Sequence, residues 1–189
     1  MKRNVFATRT PKPAGTFMKY TALILAAFIS LSAHSAEAKK KKQQIQHLSG
    51  IVQKCHDGDT CRVLVGNKIA KIRFAGIDCP ELSQKYGKEA RNYTESVIKN
   101  KYVNLECDGK SFDRLTCTVF LADKNVNLMI VENGWAYDST KYSKGRYLAS
   151  VDTAKNQKMG MWIDRDLTSP YCYRHKTNKK CALDQSYMP

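Results

Sequence analysis

The sequence predicts a mainly β fold with some α structure, a five-stranded OB-fold barrel with about three helices. Three features favour this fold. Five short segments have the composition and alternation of β-strands, an amphipathic helix separates the third segment from the fourth, and two more helical segments follow the fifth. This is the element order of an OB-fold, a barrel that often binds oligonucleotides. SH3-like barrels also have five strands, so the order alone does not decide the fold.

The individual elements follow from local patterns along the chain. The strands are predicted at 48–52, 61–65, 69–77, 102–107 and 115–122. Gly66 and Asn67 provide a two-residue turn between the second and third strands. The helices are predicted at 86–99, 126–133 and 147–159, and Gly134 and Gly160 are placed to end the last two.

The N-terminal residues have the pattern of a signal peptide. An apolar run at 21–33 follows Lys19 and precedes Ala36, Glu37 and Ala38, a small-x-small cleavage pattern. This run is shorter than the ~20 residues that span a bilayer, so no stable membrane insertion is expected after signal removal. Met18 is an alternative start. The expected organisation is a signal peptide at 1–38, a basic disordered arm at 39–46, a barrel domain at 47–165 and an aromatic and basic tail at 166–189.

The net charge indicates a polyanionic partner. The chain has 32 Lys and Arg against 17 Asp and Glu, a formal charge of +15. Such a charge suits nucleic acid or an anionic membrane surface, and charge alone does not choose between them. All seven cysteines follow the predicted cleavage point and none forms a CxxC pair, which favours disulfides over a zinc site. Together with the signal peptide, the cysteines favour a secreted or periplasmic protein. We also expect a monomer.

Four acidic residues are predicted to lie at one mouth of the barrel. Asp57 and Asp59 flank a glycine between the first two strands, a pattern that alone is ordinary turn chemistry. Asp78 and Glu81 follow the third strand, which carries Arg73. Such carboxylates would repel one another unless a cation neutralised them. Because all the ligands are oxygens, we expect a hard divalent ion, calcium or magnesium.

These residues belong to motifs that resemble the staphylococcal nuclease family. The matching motifs are Asp57-Gly58-Asp59-Thr60, Arg73 through Gly76-Ile77-Asp78 to Pro80-Glu81, Tyr86-Gly87 with Glu89-Ala90, Asp123 to Asn127, and Gly134 to Ala136. The resemblance covers about 47–165, and 169–174 is similar to the aromatic tail of bacterial members. It implies a metal-dependent endonuclease on an OB-fold barrel, with DNA and RNA as substrates and calcium, in preference to magnesium, as the ion.

The resemblance also implies a role for each matching residue. Calcium would bind Asp59, Asp78 and the backbone carbonyl of Cys79, with Asp57 acting through water; Glu81 would activate the attacking water, and Arg73 and Arg114 would bind the phosphate. This assignment is chemically reasonable because hydrolysis builds negative charge on phosphoryl oxygens, which a metal and two guanidiniums stabilise.

The second arginine lies in a segment that departs from the family. Where the family commonly has Asp-x-Tyr-Gly-Arg, this chain has Lys110-Ser111-Phe112-Asp113-Arg114, so an extra carboxylate precedes the arginine. Arg114 is therefore either a phosphate ligand or a solvated loop residue. Tyr142 aligns with a family aromatic and has either a base-stacking or a packing role.

Three disulfides are predicted from the placement of the cysteines. Each pair flanks a loop or ties down the tail: Cys55 with Cys61, Cys107 with Cys117, and Cys172 with Cys181. Cys79 is then the free thiol.

Two other classes of function compete with a nuclease. A non-catalytic OB-fold nucleic-acid-binding protein would have little need for Asp59, Asp78, Glu81 and Arg73 together, and all four are present. A cationic adhesion or antimicrobial protein would use the basic arm but would not need the acidic cluster.

Overall fold

The alternating segments of the sequence form two sheets in the computed structural model, which describes residues 44–177 and 181. The predicted signal peptide and most of the predicted arm lie outside the described residues. The strands are β1 (Gln46–Cys55), β2 (Thr60–Val65), β3 (Lys68–Phe74), β4 (Ile77–Asp78), β5 (Tyr102–Ser111), β6 (Arg114–Leu121), β7 (Lys124–Asn125) and β8 (Tyr137–Asp138).

Five of these strands close into a barrel. The hydrogen-bonded order is β3-β2-β1-β5-β6, and a pairing between β3 and β6 closes the ring. The neighbours along this order are antiparallel, whereas β3 and β6 are parallel, with Arg73 opposite Thr116. This confirms the predicted five-stranded barrel, and it brings the end of β3 beside the start of β2, where the candidate site lies.

The third strand is shorter than predicted. β3 ends at Phe74, and Gly76, with φ of 74°, turns the chain before Ile77. Ile77 and Asp78 form β4, which pairs with β8 in a separate two-stranded sheet. The prediction of one strand from 69 to 77 was wrong because a glycine in the left-handed region interrupts it.

The helices include the three that the sequence predicts and two shorter ones. They are α1 (Gly87–Ile98), α2 (Val126–Glu132), α3 (Thr140–Ser143), α4 (Leu148–Asn156) and α5 (Pro170–Arg174), with a 3₁₀ turn at Gly160–Ile163. Gly134 follows α2 with φ of 76°, as expected for a glycine that ends a helix. The prediction that Gly160 ends the last helix was wrong, because α4 ends at Asn156, Lys158 adopts the left-handed conformation after it, and Gly160 begins the 3₁₀ turn. Across the residues that the structure describes, no helix has the length and apolar character needed to span a bilayer.

The core fills the barrel and continues beneath the helices. Inward-facing residues of the strands, such as Val63, Ile72 and Leu105, are almost fully buried. Helix α1 contributes Ala90 and Ile98, both fully buried. Because α1 is fixed to the barrel in this way, it forms a rigid support for the loop that follows β1.

Candidate active site

The loop between β1 and β2 directs two carboxylates toward the end of β3. The N–H of His56 donates to the carbonyl of Thr60 at 2.7 Å, and the N–H of Asp59 donates to Asp57 Oδ1 at 3.1 Å. This second bond is an Asx turn, which a short aspartate side chain favours. Asp57 and Asp59 are 9% and 4% exposed.

Gly58 allows this loop to approach the next segment of the chain. A Cβ at position 58 would lie 2.7 Å from Cys79 Sγ. The N–H of Cys79 donates to Asp59 Oδ2 at 2.6 Å, so the backbone of Cys79 lies against that carboxylate. The glycine is therefore needed for the close contact between the two acidic segments.

Arg73 joins the two acidic segments. Its Nη1 lies 2.6 Å from Asp59 Oδ1, and its Nη2 lies 2.8 Å from Asp78 Oδ1. Its side chain is only 18% exposed, because it extends from the end of β3 into the space between both carboxylates. Burial opposes its charge, but Asp59 and Asp78 raise the pKa of Arg73 overall. Two carboxylates predicted from distant sequence positions thus converge on one guanidinium.

Asp59 carries charge in an unfavourable environment. Burial raises its pKa well above the ordinary value, Arg73 opposes this rise, and the nearby Asp57 and Asp78 add to it. A cation beside Asp59 would favour the ionised carboxylate, by the same electrostatic effect that Arg73 exerts.

Glu81 is held on the loop between β4 and α1. Its N–H donates to Gln84 Oε1 at 3.2 Å, and its carbonyl accepts from the N–H of Gln84 at 2.8 Å. A Cβ on Gly87 would collide with the carbonyl oxygen of Glu81, so only glycine at this position lets the loop fold onto the first turn of α1. The Glu81 side chain is 31% exposed and faces the same opening as Asp78.

Arg174 also contacts these carboxylates, and the sequence analysis did not single it out as a site residue. Its Nη2 lies 2.8 Å from Asp78 Oδ2, and its Nη1 lies 2.6 Å from Glu81 Oε1. Although burial opposes its charge, hydrogen bonds to Asp78 and Glu81 raise the pKa of Arg174. The sequence analysis missed Arg174 because it lies 93 positions after Glu81 and 96 after Asp78. No local sequence pattern links residues so far apart.

Arg114 is the first residue of β6, the strand that pairs with β3. Its Nη2 donates to Ser111 Oγ at 3.4 Å, a bond within its own hairpin that does not join it to Asp59 or Asp78. The neighbouring Asp113 pairs with Lys71 of β3, and this hydrogen bond lowers the pKa of Asp113. The extra carboxylate beside Arg114 is therefore neutralised by a lysine of the adjoining strand.

Tyr142 is exposed on α3. Its side chain is 70% exposed, with Lys141 Nζ 5.3 Å from the ring centroid. An aromatic ring in this position is available to stack on another planar group. Its exposure argues against the packing role that the sequence left open.

The structure contains the three cysteine pairs that the sequence predicts. Cys55–Cys61 closes the loop that carries Asp57 and Asp59, and Cys107–Cys117 links β5 to β6. Cys172–Cys181 lies in the C-terminal segment, and Cys79 is free and buried. The first bridge fixes the ends of the acidic loop.

Two buried side chains that the sequence analysis did not mention as site residues position the loops. Thr94 of α1 donates to the carbonyl of Gly58, and Asn127 of α2 bonds to the backbone of both Ala75 and Val119. Polar residues at buried helix positions are the signal that would have found them.

The acidic residues suit a cation with few protein ligands. Within the described ranges, no three His, Cys, Asp or Glu side chains are grouped so that they could hold a metal ion. The predicted ligand set does not need three such side chains. It consists of two side chains, the carboxylates of Asp59 and Asp78, and one backbone group, the carbonyl of Cys79. The two carboxylates already share one guanidinium, and their oxygen atoms suit a hard ion such as calcium. These residues therefore fit such an ion.

The sequence is similar to that of known proteins of one family. Residues 71–164 match the family described as Staphylococcal nuclease homologue. A Haemophilus influenzae protein named "Uncharacterized endonuclease" is 33% identical over 141 residues, which cover 73% of this chain and 79% of that protein. An Escherichia coli protein of the same name is 31% identical over 132 residues, or 68% and 86% of the two chains. The "Thermonuclease" of Staphylococcus intermedius is 27% identical over 128 residues, or 63% and 76%.

The matched region contains the end of β3 with Arg73, the acidic residues Asp78 and Glu81, helix α1 and strands β5 and β6. On the strength of these matches and of the barrel that carries them, the chain belongs to the staphylococcal nuclease family.

Proposed function

We propose that this protein is a calcium-dependent nuclease that hydrolyses phosphodiester bonds of DNA and RNA with little preference for the sugar. Family membership supports an endonuclease hydrolase. The observation that carries the finer proposal is Arg73, whose guanidinium joins Asp59 at 2.6 Å to Asp78 at 2.8 Å. A group that suits phosphate and two carboxylates that suit a hard cation are thus neighbours.

In this proposal the cation binds Asp59, Asp78 and the backbone carbonyl of Cys79, and Asp57 acts on it through water. When bound, calcium supplies positive charge to the phosphoryl oxygens and orients the substrate. The hydrogen bonds from Thr60 Oγ1 and from the N–H of Cys79 hold the Asp59 carboxylate at fixed orientation, at 3.2 and 2.6 Å. The ligands are consequently preorganised before any ion arrives.

Glu81 takes a proton from the attacking water. A carboxylate oxygen within hydrogen-bond reach of that water can accept its proton as a general base. The loop that carries Glu81 is fixed by Gln84, and its side chain remains partly exposed, as access for water requires.

Arg73 and Arg114 bind the phosphoryl oxygens and stabilise the negative charge that develops on them. Arginine suits this task because its planar fork holds two oxygens and keeps its charge. Because Lys71 neutralises Asp113, the electrostatic attraction between the Asp113 carboxylate and the Arg114 guanidinium is weaker. Tyr142, exposed on α3, stacks on a base of the substrate.

The proposed location is outside the cytoplasm, in the periplasm or the medium, after removal of residues 1–38. Three disulfides are compatible with an oxidising compartment. N-terminal sequencing of the protein recovered from periplasm and medium tests this, and a chain that still begins at Met1 or Met18 in the cytoplasm contradicts it.

The decisive experiment is digestion of a plasmid and of an RNA with calcium, with magnesium and with a chelator. Wild-type protein is compared with Glu81→Gln and Arg73→Ala, and with the exposed-residue controls Glu106→Gln and Arg62→Ala. We expect cleavage with calcium and none with chelator, losses of about 10²- to 10³-fold in the two site variants, and little change in the controls. Cleavage that survives chelation contradicts the metal dependence.

The same samples test the alternative function. A non-catalytic nucleic-acid-binding protein would shift DNA in a gel without cutting it under any condition, and the site variants would bind as the controls do. Site variants that bind nucleic acid but no longer cleave it would instead support the nuclease.

A further inference from the structure

The C-terminal segment inserts one arginine among the carboxylates of the candidate site. Arg174 Nη1 and Nη2 lie 3.2 and 2.8 Å from the two oxygens of Asp78, and Nη1 lies 2.6 Å from Glu81 Oε1. Both oxygens of Asp78 therefore accept hydrogen bonds from Arg174, and Oδ1 also accepts from Arg73. A guanidinium fork that spans two carboxylates in this way is a strong charge-assisted contact.

The segment that carries Arg174 is anchored by the residues just before it. Ser169 caps α5 by accepting from the N–H of Cys172, and Cys172 is 7% exposed and bonded to Cys181. After this anchor, Tyr173 Oη lies 3.0 Å from Ser83 Oγ. Because these contacts fix the backbone, only the side chain of Arg174 loses conformational freedom when it reaches its partners.

The same segment is attached to the loop of Glu81. Gln84 accepts from the N–H of Glu81 through Oε1 and donates to the carbonyl of Thr168 through Nε2. One side chain thus connects the loop that carries the base to the residues just before α5. The position of Arg174 is linked to that of Glu81 through the backbone as well as through the ion pair.

A divalent ion and Arg174 compete for Asp78 in this arrangement. Three of the roughly four lone-pair sites of the Asp78 carboxylate already accept from guanidiniums, and two positive groups a few ångströms apart repel in a partly buried site. Arg73 contacts both proposed ligands, Asp59 and Asp78, but its side chain is only 18% exposed and has little room to move away. The Arg174 side chain is 38% exposed, so it has room to rotate away from Asp78 into solvent.

We propose that Arg174 occupies the cation's place on Asp78 in the metal-free protein, while also pairing with Glu81, and competes with the ion for Asp78, so that the C-terminal segment sets the metal affinity. This inference rests on the proposed function, because it takes Asp78 as a ligand of the ion. In the metal-free protein the segment covers Glu81 and neutralises the acidic cluster. Binding of the ion releases Arg174 and uncovers Glu81 for water.

The test is calcium binding measured by calorimetry on the full-length, metal-free protein without substrate. Arg174→Gln removes the competing charge, Arg174→Lys keeps the charge without the fork, and Lys176→Gln is the matched control. Lys176 lies on the same segment with its Nζ 5.0 Å from the ring centroid of Tyr173, so its loss changes the net charge equally. If the covered form is populated to about 90%, Arg174→Gln lowers the calcium Kd about tenfold, Arg174→Lys lowers it less, and Lys176→Gln leaves it within about twofold.

Thermal unfolding of the same proteins gives a second measurement. Without calcium, Arg174→Gln should melt about 2–4 °C below wild type, because the acidic cluster has lost a counter-charge. With saturating calcium the difference should shrink or reverse. Arg174 variants whose calcium Kd equals that of the wild type overturn the inference, and a rise in KM for DNA with unchanged calcium affinity would assign Arg174 to phosphate binding instead.

These outcomes separate the inference from the proposed function. Calcium-dependent cleavage by the wild type with equal calcium affinities in all four proteins refutes only the role of Arg174. Tighter calcium binding by Arg174→Gln in a protein that cuts neither DNA nor RNA refutes the nuclease and supports the competition. Absence of calcium binding in the wild type and in Arg174→Gln refutes both.

Discussion

Thr94 Oγ1 on helix α1 donates a hydrogen bond of 2.7 Å to the carbonyl oxygen of Gly58, in the loop between β1 and β2. Thr94 is fully buried. Its hydroxyl binds the backbone of the loop at Gly58, between Asp57 and Asp59. The helix therefore determines where the two carboxylates of the loop lie.

Replacement of Thr94 by Val keeps the shape of the side chain and leaves the Gly58 carbonyl without this donor. We expect a loss of about 1–3 kcal/mol in the free energy of unfolding and weaker calcium binding, measured by urea unfolding and calorimetry. Thr153→Val is the control, because its hydroxyl bonds to Ala149 on the exposed side of α4. Equal effects of the two substitutions would contradict the positioning role.

Asn127 connects three parts of the barrel end. Its Nδ2 donates to the carbonyl of Ala75 at 2.9 Å, and its Oδ1 accepts from the N–H of Val119 at 3.0 Å. Asn127→Ala leaves both buried backbone groups unpaired, so the free energy of unfolding should fall by about 3 kcal/mol. The exposed Asn92→Ala on α1 should change it by less than about 0.5 kcal/mol. A loss below 1 kcal/mol in Asn127→Ala would show that water replaces these bonds.

Gly87→Ala should affect activity more than stability. The new methyl group would collide with the carbonyl of Glu81 and push the loop away from α1. Displacement of a catalytic group by about 1 Å costs about 10²-fold in rate, so kcat should fall by about that factor. Gly66→Ala is the contrasting case: Gly66 has φ of 57° with open space around it, so alanine there should cost about 1 kcal/mol of stability and leave kcat unchanged.

The carboxylate of Glu95 makes part of the stability depend on pH. Although burial opposes its charge, the N–H of Cys55 at 2.9 Å and the ammonium of Lys99 lower the pKa of Glu95. A lowered pKa in the folded state contributes stability above the unfolded value of about 4.3, and this contribution is lost as pH falls through the folded value.

Glu95→Gln should therefore cost about 1 kcal/mol at pH 7, and this cost should shrink as pH falls below the unfolded value of about 4.3. The measurement is the free energy of unfolding of the wild type and of Glu95→Gln at several pH values between 3 and 7. Glu106→Gln, at an exposed position of β5, should show no such convergence. A constant difference across this range would exclude the ionised carboxylate as the cause.

The sequence predicted the barrel because its strands are short segments of β-type composition, and β5 in particular alternates between buried and exposed residues, a local property. It also predicted Asp57, Asp59, Arg73, Asp78 and Glu81 as neighbours, since they follow strand ends that the fold brings together. It misplaced the end of β3 because the turn at Gly76 depends on tertiary contacts, with a Cβ there lying 3.0 Å from Ser143. Arg174 could not be found locally, because its partners are fixed only by how the last helix lies on the domain.

The burial of Cys79 has a consequence for recovery from heat. In the folded protein, burial raises the pKa of this thiol well above its ordinary value and shields it from other cysteines. Once the chain unfolds, the thiol regains a pKa of about 8.5 and can attack any of the three bridges through its thiolate. Repeated heating and cooling in mildly acidic solution should thus return native pairings, whereas the same cycles in alkaline solution should accumulate scrambled chains, and Cys79→Ala should abolish that difference.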